Sequence, residues 1–210
     1  MNTYVLTAIA VLASLIILLV GRNAIKSSKK KPFQKHLLVF FGSGGHTGEM
    51  LNLLNALDDK LYSVRSYVAG SDDTMSVSKA SLLSNSLPSV KSKIFKVPRA
   101  RYVKQSWLTT PFTAFWSLLG SISVIFWNPF GIPDVILCNG PGTCVFICLL
   151  GYLAKFLGKN VKIVYVESFA RVKSLSLSGK ILMPFVDRFL VQWPDLATKY
   201  KRAEYIGIVA

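Results

Sequence analysis

The chain has 210 residues, 25 Lys+Arg against 10 Asp+Glu, and 51% hydrophobic residues. That length fits one domain with a small appendage, and so apolar a composition excludes a disordered chain. Three cysteines, Cys138, Cys144 and Cys148, are too few for a disulfide scaffold and fit a reducing compartment. A polytopic membrane protein is disfavoured, because most apolar runs are strand-length and are separated by Gly, Pro and charge.

Tyr4 to Val20 carries no charge, with Thr7 and Ser14 its clearly polar residues. With its neighbours it reaches about 20 residues, enough to span a bilayer as a helix. No basic residue precedes it, whereas Arg22, Lys26, Lys29, Lys30, Lys31 and Lys35 follow. That pattern favours a retained anchor over a cleaved signal peptide and puts the C-terminal side in the cytosol. The expected organisation is an anchor over 1–21, a basic linker over 22–35 and a globular domain over 36–210.

Beyond the linker, short apolar runs alternate with helical ones. His36–Phe41 predicts a buried strand, followed by a Gly-rich turn and a helix with Met50, Leu51, Leu54 and Leu57 on one stripe. Tyr62–Ala69 predicts a second strand, and Asp72 or Asp73 caps a helix running to about Asn85. Further strands are expected at Lys93–Val97, Asp134–Cys138, Val161–Val166, Phe189–Trp193 and Tyr205–Val209. Helices are expected after Thr143, around Leu177–Phe185 and from Asp195. Such alternation implies crossover units and a parallel sheet covered on both faces.

Trp107–Trp127 holds no charge. A single span here would separate strands that must share a sheet. The segment therefore reads as a helix opening near Thr110-Pro111, either embedded in a membrane interface or packed as an ordinary crossover helix. Lys91, Lys93, Lys96, Arg99, Arg101 and Lys104 precede it with no acid among them. Both basic clusters adjoin long apolar runs, so the charge is assigned to an anionic membrane surface rather than to nucleic acid. Lys96, Arg99, Arg101, Lys104, Trp107, Trp116 and Trp127 are the expected lipid contacts.

Gly42-Ser43-Gly44-Gly45-His46-Thr47-Gly48 lies between a strand and a helix. Glycines there let the backbone approach a ligand, and a helix N-terminus offers unpaired N–H groups to an anion. The alternative is a tight turn that only caps the helix. Thr47 breaks a dinucleotide fingerprint, and the acid expected after the second strand is missing, so NAD is disfavoured. His46 is a candidate proton acceptor or a cap, with Glu49 three residues on. A second turn, Asn139-Gly140-Pro141-Gly142-Thr143, falls on the same sheet edge, as does Glu167-Ser168-Phe169-Ala170-Arg171. Glu167 and Arg171 form an ion pair on the plainest reading. Cys144 and Cys148 read as buried thiols rather than metal ligands, and no cofactor or metal is expected.

These motifs in order carry a resemblance. The anchor, FGSGGHTGEM, NGPGT, VESFARV and RFLVQWPDL closely resemble the membrane-anchoring subunit family of the eukaryotic dolichol-pathway UDP-N-acetylglucosamine transferase. That family is similar to the N-terminal half of the bacterial lipid-II-forming transferase. The resemblance covers nearly the whole chain. It implies a Rossmann-like α/β half of a B-type glycosyltransferase. The complex it implies adds the second GlcNAc to dolichyl-diphosphate-GlcNAc on the cytosolic face of the endoplasmic reticulum, a membrane contiguous with that of the nucleus. A separate soluble subunit would bind the donor, so this chain alone is not expected to be an enzyme.

On that reading Gly42, Ser43, Gly44, Gly45, Thr47, Gly48, Asn139, Gly140, Pro141, Gly142, Thr143, Ser168 and Arg171 face the acceptor and its diphosphate. His46 is the candidate base, with Glu49 and Glu167 as alternatives. After the anchor and linker about 175 residues remain, one domain's worth and half of a two-domain transferase. The apolar end, with Tyr205, Ile206, Ile208 and Val209, is the expected partner interface. Two rivals from other classes are a pure scaffold and a self-sufficient membrane-bound Rossmann enzyme.

Overall fold

Every residue of β1 (His36–Phe41) is buried, as the apolar run Leu37–Phe41 requires of a strand covered on both faces. The computed structural model describes residues 34–102 and 104–209. The expected anchor and residues 22–33 of the basic linker lie outside the described residues. After β1 come α1 (Gly45–Asn55), β2 (Val64–Gly70), α2 (Thr74–Ser86), β3 (Lys91–Val97) and α3 (Thr110–Phe126). The second half adds β4 (Val135–Asn139), α4 (Thr143–Phe156), β5 (Lys162–Val166), α5 (Leu177–Leu182), β6 (Arg188–Val191), α6 (Pro194–Lys199) and β7 (Ala203–Tyr205).

The strands form one seven-stranded sheet in the order β3-β2-β1-β4-β5-β6-β7, and all six pairings are parallel. The order reverses between β1 and β4, the switch point at which open α/β sheets bind ligands. Alternate side chains of each strand feed two cores. Leu38, Phe40, Ile136, Ile163 and Tyr165 pack with Ile125 of α3, Ile147 of α4 and Leu182 of α5. Leu37, Val39, Phe41 and Tyr67 pack with Met50 and Leu54 of α1 and Ala80 of α2. Asp73 caps α2, its carboxylate accepting from the Ser76 backbone N–H at 3.0 Å, as such a residue should.

Two expectations change. Tyr205–Val209 is not a strand. Pairing with β6 ends at Val191↔Tyr205, because the chain turns away after Val191, and Gly207 sits at φ 83. The charge-free segment 107–127 divides in two. Its C-terminal part, with Ile122, Val124, Ile125 and Phe126, is buried as a crossover helix, while Trp107, Leu108, Phe112, Phe115 and Trp116 stay exposed. Among the described residues no helix is long and apolar enough to cross a membrane.

Candidate functional site

Because all strands run parallel, the loops after β1, β3, β4 and β5 gather on one edge. Among the helices that open there without a side-chain cap, α1 at Gly44 (φ 64) and α4 at Gly142 have glycine at the cap. Their first N–H groups and positive dipole ends therefore face the same edge.

The glycines fall into two classes. A Cβ at Gly42 would lie 2.7 Å from both the His46 Cβ and the Pro141 Cδ, and one at Gly140 (φ 80) would lie 2.3–2.6 Å from three atoms of the His46 ring. These two let the β1 and β4 loops close on each other. Around Gly44, Gly45, Gly48 and Gly142 nothing stands within 4 Å of such a Cβ, so there the backbone itself is presented to the edge.

The polar side chains divide similarly. Thr47 is fully buried; its hydroxyl donates to the Gly42 carbonyl and shares a 2.6 Å bond with Ser76. The Thr143 hydroxyl accepts from the Ala100 backbone N–H at 3.0 Å, tying the β3–α3 loop to α4. Asn139, fully buried, donates from Nδ2 to the His46 carbonyl at 2.7 Å. Thr47 and Asn139 build the loops rather than line an open surface, whereas Thr143 does both, since it also lines a small pocket.

His46 rests on Gly140 with its Nδ1 buried and unpartnered, as is Asn139 Oδ1. Burial holds the imidazole pKa below 6.5, helped by Arg171 and opposed by the Glu49 carboxylate. The ring is thus neutral, the form that accepts a proton. Glu49 accepts from the Ser168 hydroxyl at 3.1 Å and the Phe169 N–H at 3.3 Å on one oxygen, and from Gln192 Nε2 at 3.1 Å on the other. Glu167 is fully buried. One oxygen accepts from the Ser168 N–H at 3.1 Å and the other from the Ser176 N–H at 2.9 Å and hydroxyl at 3.0 Å. Burial raises its pKa despite those donors. The expected Glu167–Arg171 ion pair is not formed among the described residues, since Glu167 spends both oxygens on the loop running to Ser176. Gln192, which sequence reading passed over, is 1% exposed and holds the C-terminal tail through the Val209 N–H at 2.8 Å.

Two hollows flank the glycine loop. An open cleft of about 530 Å³ lies between residues 43–52 and Ser168–Ala170, with His46 and Glu49 in its wall. On the other side, a pocket of about 50 Å³ is lined by Gly42, Ser43, Asp73, Arg99, Arg101 and Thr143. Arg99 is bonded to Asp72 at 2.7 Å with Asp73 at 3.7 Å. Arg101 lies over the Trp107 ring at 3.9 Å, which joins the cationic pocket to the exposed apolar residues in the turn before α3 and at its start.

Trp127 stands apart, at the far end of this 17-residue helix, about 25 Å away at 1.5 Å per residue. Lys96 is exposed on edge strand β3, and Lys104 is exposed in the following loop. Cys138, Cys144 and Cys148 are free, buried thiols, with burial raising the pKa of the first two.

A family model described as "Oligosaccharide biosynthesis protein Alg14 like" matches residues 37–209. The chain belongs to the Alg14 family. Its similarity to curated members is high. It is 47% identical over 176 residues to the UDP-N-acetylglucosamine transferase subunit ALG14 of Yarrowia lipolytica, covering 82% of this chain and 80% of that protein. To the human subunit of the same name it is 46% identical over 179 residues, 81% of each chain. The mouse subunit is 45% identical over 180 residues, again 81% of each. Among solved structures, Acinetobacter baumannii MurG superposes with a TM-score of 0.52 at 16% identity, over 77% of this chain and 42% of MurG. The Alg14 fold is therefore one Rossmann-like unit, and this chain spans under half of MurG.

Proposed function

We propose that this chain is the acceptor-side, membrane-anchoring subunit of a UDP-GlcNAc transferase. The reaction adds the second GlcNAc to dolichyl-diphosphate-GlcNAc at the cytosolic face of the endoplasmic reticulum membrane. The observation that carries the reading is that relatives matching over four-fifths of the chain are named subunits of a UDP-N-acetylglucosamine transferase. A single Rossmann-like unit supplies one of the two substrate-binding halves such chemistry needs, and a soluble partner supplies the donor half.

The arrangement of the edge supports a path for the acceptor. Its polyprenyl tail lies along Trp107, Leu108, Phe112 and Trp116, all exposed. Arg101 and the open N-termini of α1 and α4 meet the diphosphate. The sugar enters the cleft beside His46. Neutral His46 takes the proton of the acceptor 4-hydroxyl as that oxygen attacks the anomeric carbon of UDP-GlcNAc, and UDP leaves with inversion. Glu49 and Glu167, whose oxygens are committed to Ser168, Phe169, Gln192 and Ser176, hold the walls.

The partner docks at the β7 end of the sheet, opposite the lipid-facing α3, where Tyr205, Ile206 and Ile208 are exposed. The test is GlcNAc transfer to a polyprenyl-diphosphate-GlcNAc acceptor by the purified chain, alone and with a cytosolic fraction. Activity only after addition supports a half-enzyme; activity from the chain alone refutes the division of labour. Loss of residues 205–210 abolishes partner co-purification on this reading, and retention refutes the docking site.

A further inference from the structure

The tail and the cleft share one side chain. Gln192 Oε1 accepts from the Val209 N–H at 2.8 Å, while Nε2 donates to Glu49 at 3.1 Å and to the Glu167 carbonyl at 3.2 Å. The amide orientation follows from its neighbours. Turned over, it would set NH₂ against N–H and oxygen against a carboxylate. Val209 is held a second time, its carbonyl accepting from Asn52 Nδ2 of α1 at 2.9 Å. Across the cleft, Glu49 accepts from the Ser168 hydroxyl and the Phe169 N–H. A continuous run of hydrogen bonds thus leads from the tail through Gln192 to Glu49 and on to both walls of the cleft.

We propose that Gln192 is a positioning residue that couples the seating of the C-terminal tail to the shape of the acceptor cleft. A tail lifted from Gln192 leaves Oε1 as a buried acceptor without a donor, an arrangement that costs free energy. The amide recovers a donor only by turning away from Glu49. Glu49 then loses the bond on its second oxygen, and the loop 168–170 that hangs on its first oxygen loosens. Because Tyr205, Ile206 and Ile208 present their side chains outward while the Val209 backbone faces Gln192, a partner pressing on the tail tightens the acceptor cleft. This inference rests on the reading of the cleft as the acceptor site.

Val209→Pro removes the single N–H that reaches Gln192 and changes no core side chain, and Gln192→Leu removes the relay at its centre. The full chain is assayed with saturating cytosolic fraction against polyprenyl-diphosphate-GlcNAc, alongside amide hydrogen exchange of residues 168–171. The expected result is a rise of about tenfold in acceptor KM for each variant, larger than any fall in kcat. Exchange at 168–171 is faster, and the double variant is no worse than the poorer single. Unchanged KM and exchange in Val209→Pro, or additive effects in the double variant, overturn the coupling while leaving the proposed function standing. Absence of transfer by the unaltered chain refutes the proposed function instead, and the exchange of residues 168–171 then decides the coupling alone.

Discussion

Gly140→Ala tests the claim that the β1 and β4 loops meet at the His46 ring. Two costs are separable. Gly140 lies at φ 80, where an L-residue is strained by about 1–2 kcal/mol. The new Cβ would also lie 2.3–2.6 Å from the imidazole, and overpacking of this kind costs about 1–3 kcal/mol. The total of about 2–5 kcal/mol corresponds to a fall in Tm of roughly 5–15 °C for a domain of this size. Two neighbours dissect it. Gly44 also has a positive φ (64), with ψ −128, but has nothing within 4 Å, so Gly44→Ala carries only the backbone strain, about 1–3 kcal/mol. Gly142 has neither the strained φ nor a neighbour, and Gly142→Ala is neutral or stabilises by a few tenths of a kcal/mol. Adding His46→Ala to Gly140→Ala removes the ring that is struck, so the pair is less destabilised than the sum of its parts. Thermal unfolding of the five variants is the assay. Gly140→Ala no less stable than Gly44→Ala, or strict additivity with His46→Ala, refutes the contact.

Other consequences are read more directly. His46→Ala lowers transfer about 10²–10⁴-fold with the partner still co-purifying; unchanged turnover removes His46 as the base. Since burial depresses the His46 pKa below 6.5, the acid limb of kcat/KM should fall below that pH. Stability follows the same sign, because the unfolded chain binds the His46 proton first. The contribution is complete above about 6.5 and is lost as pH falls through the lower folded value; an acid limb centred above 6.5 contradicts this. Glu167→Ala strands the Ser176 N–H and hydroxyl and the Ser168 N–H and costs about 2–4 kcal/mol, while Glu167→Gln keeps an acceptor for Ser176 and costs less, by urea unfolding. In liposomes containing brominated lipid, quenching of the full chain's fluorescence drops on replacing Trp107 or Trp116 with Phe but not on replacing Trp193; equal quenching in all three argues against the α3 face.

How far the amino-acid sequence discloses this molecule depends on the range of the interactions involved. Buried parallel strands announce themselves locally. Residues 36–41 and 161–166 are mostly apolar runs between turns, with His36 and Lys162 their polar residues, and β1 and β5 fall on them within a residue. The end of the sheet does not. Tyr205–Val209 has strand composition, yet a strand exists only while its neighbour continues, and β6 stops opposite Tyr205. Segment 107–127 is uncharged around its whole circumference, with small hydroxyl residues in both halves. Composition therefore cannot divide its exposed N-terminal half from the buried C-terminal half, because what covers Ile122 and Ile125 is α4 and the sheet.

The same limit governs the site. The two glycine loops are visible as loops, but the duties of Thr47, Asn139 and Thr143 lie in partners distant in sequence: Ser76, the His46 carbonyl and the Ala100 N–H. Read alone, each is a polar group beside a glycine and invites a ligand. Gln192 shows the opposite error. Within the motif RFLVQWPDL the single amide after Phe189-Leu190-Val191 has no role of its own to read, although a polar residue where a buried strand meets its loop needs buried partners. Its partners here are a glutamate 143 residues away and a backbone N–H 17 residues on. That separation makes Gln192 the residue through which the two ends of the domain sense each other. Substitutions at either end of its bonds should therefore be judged by acceptor KM before stability.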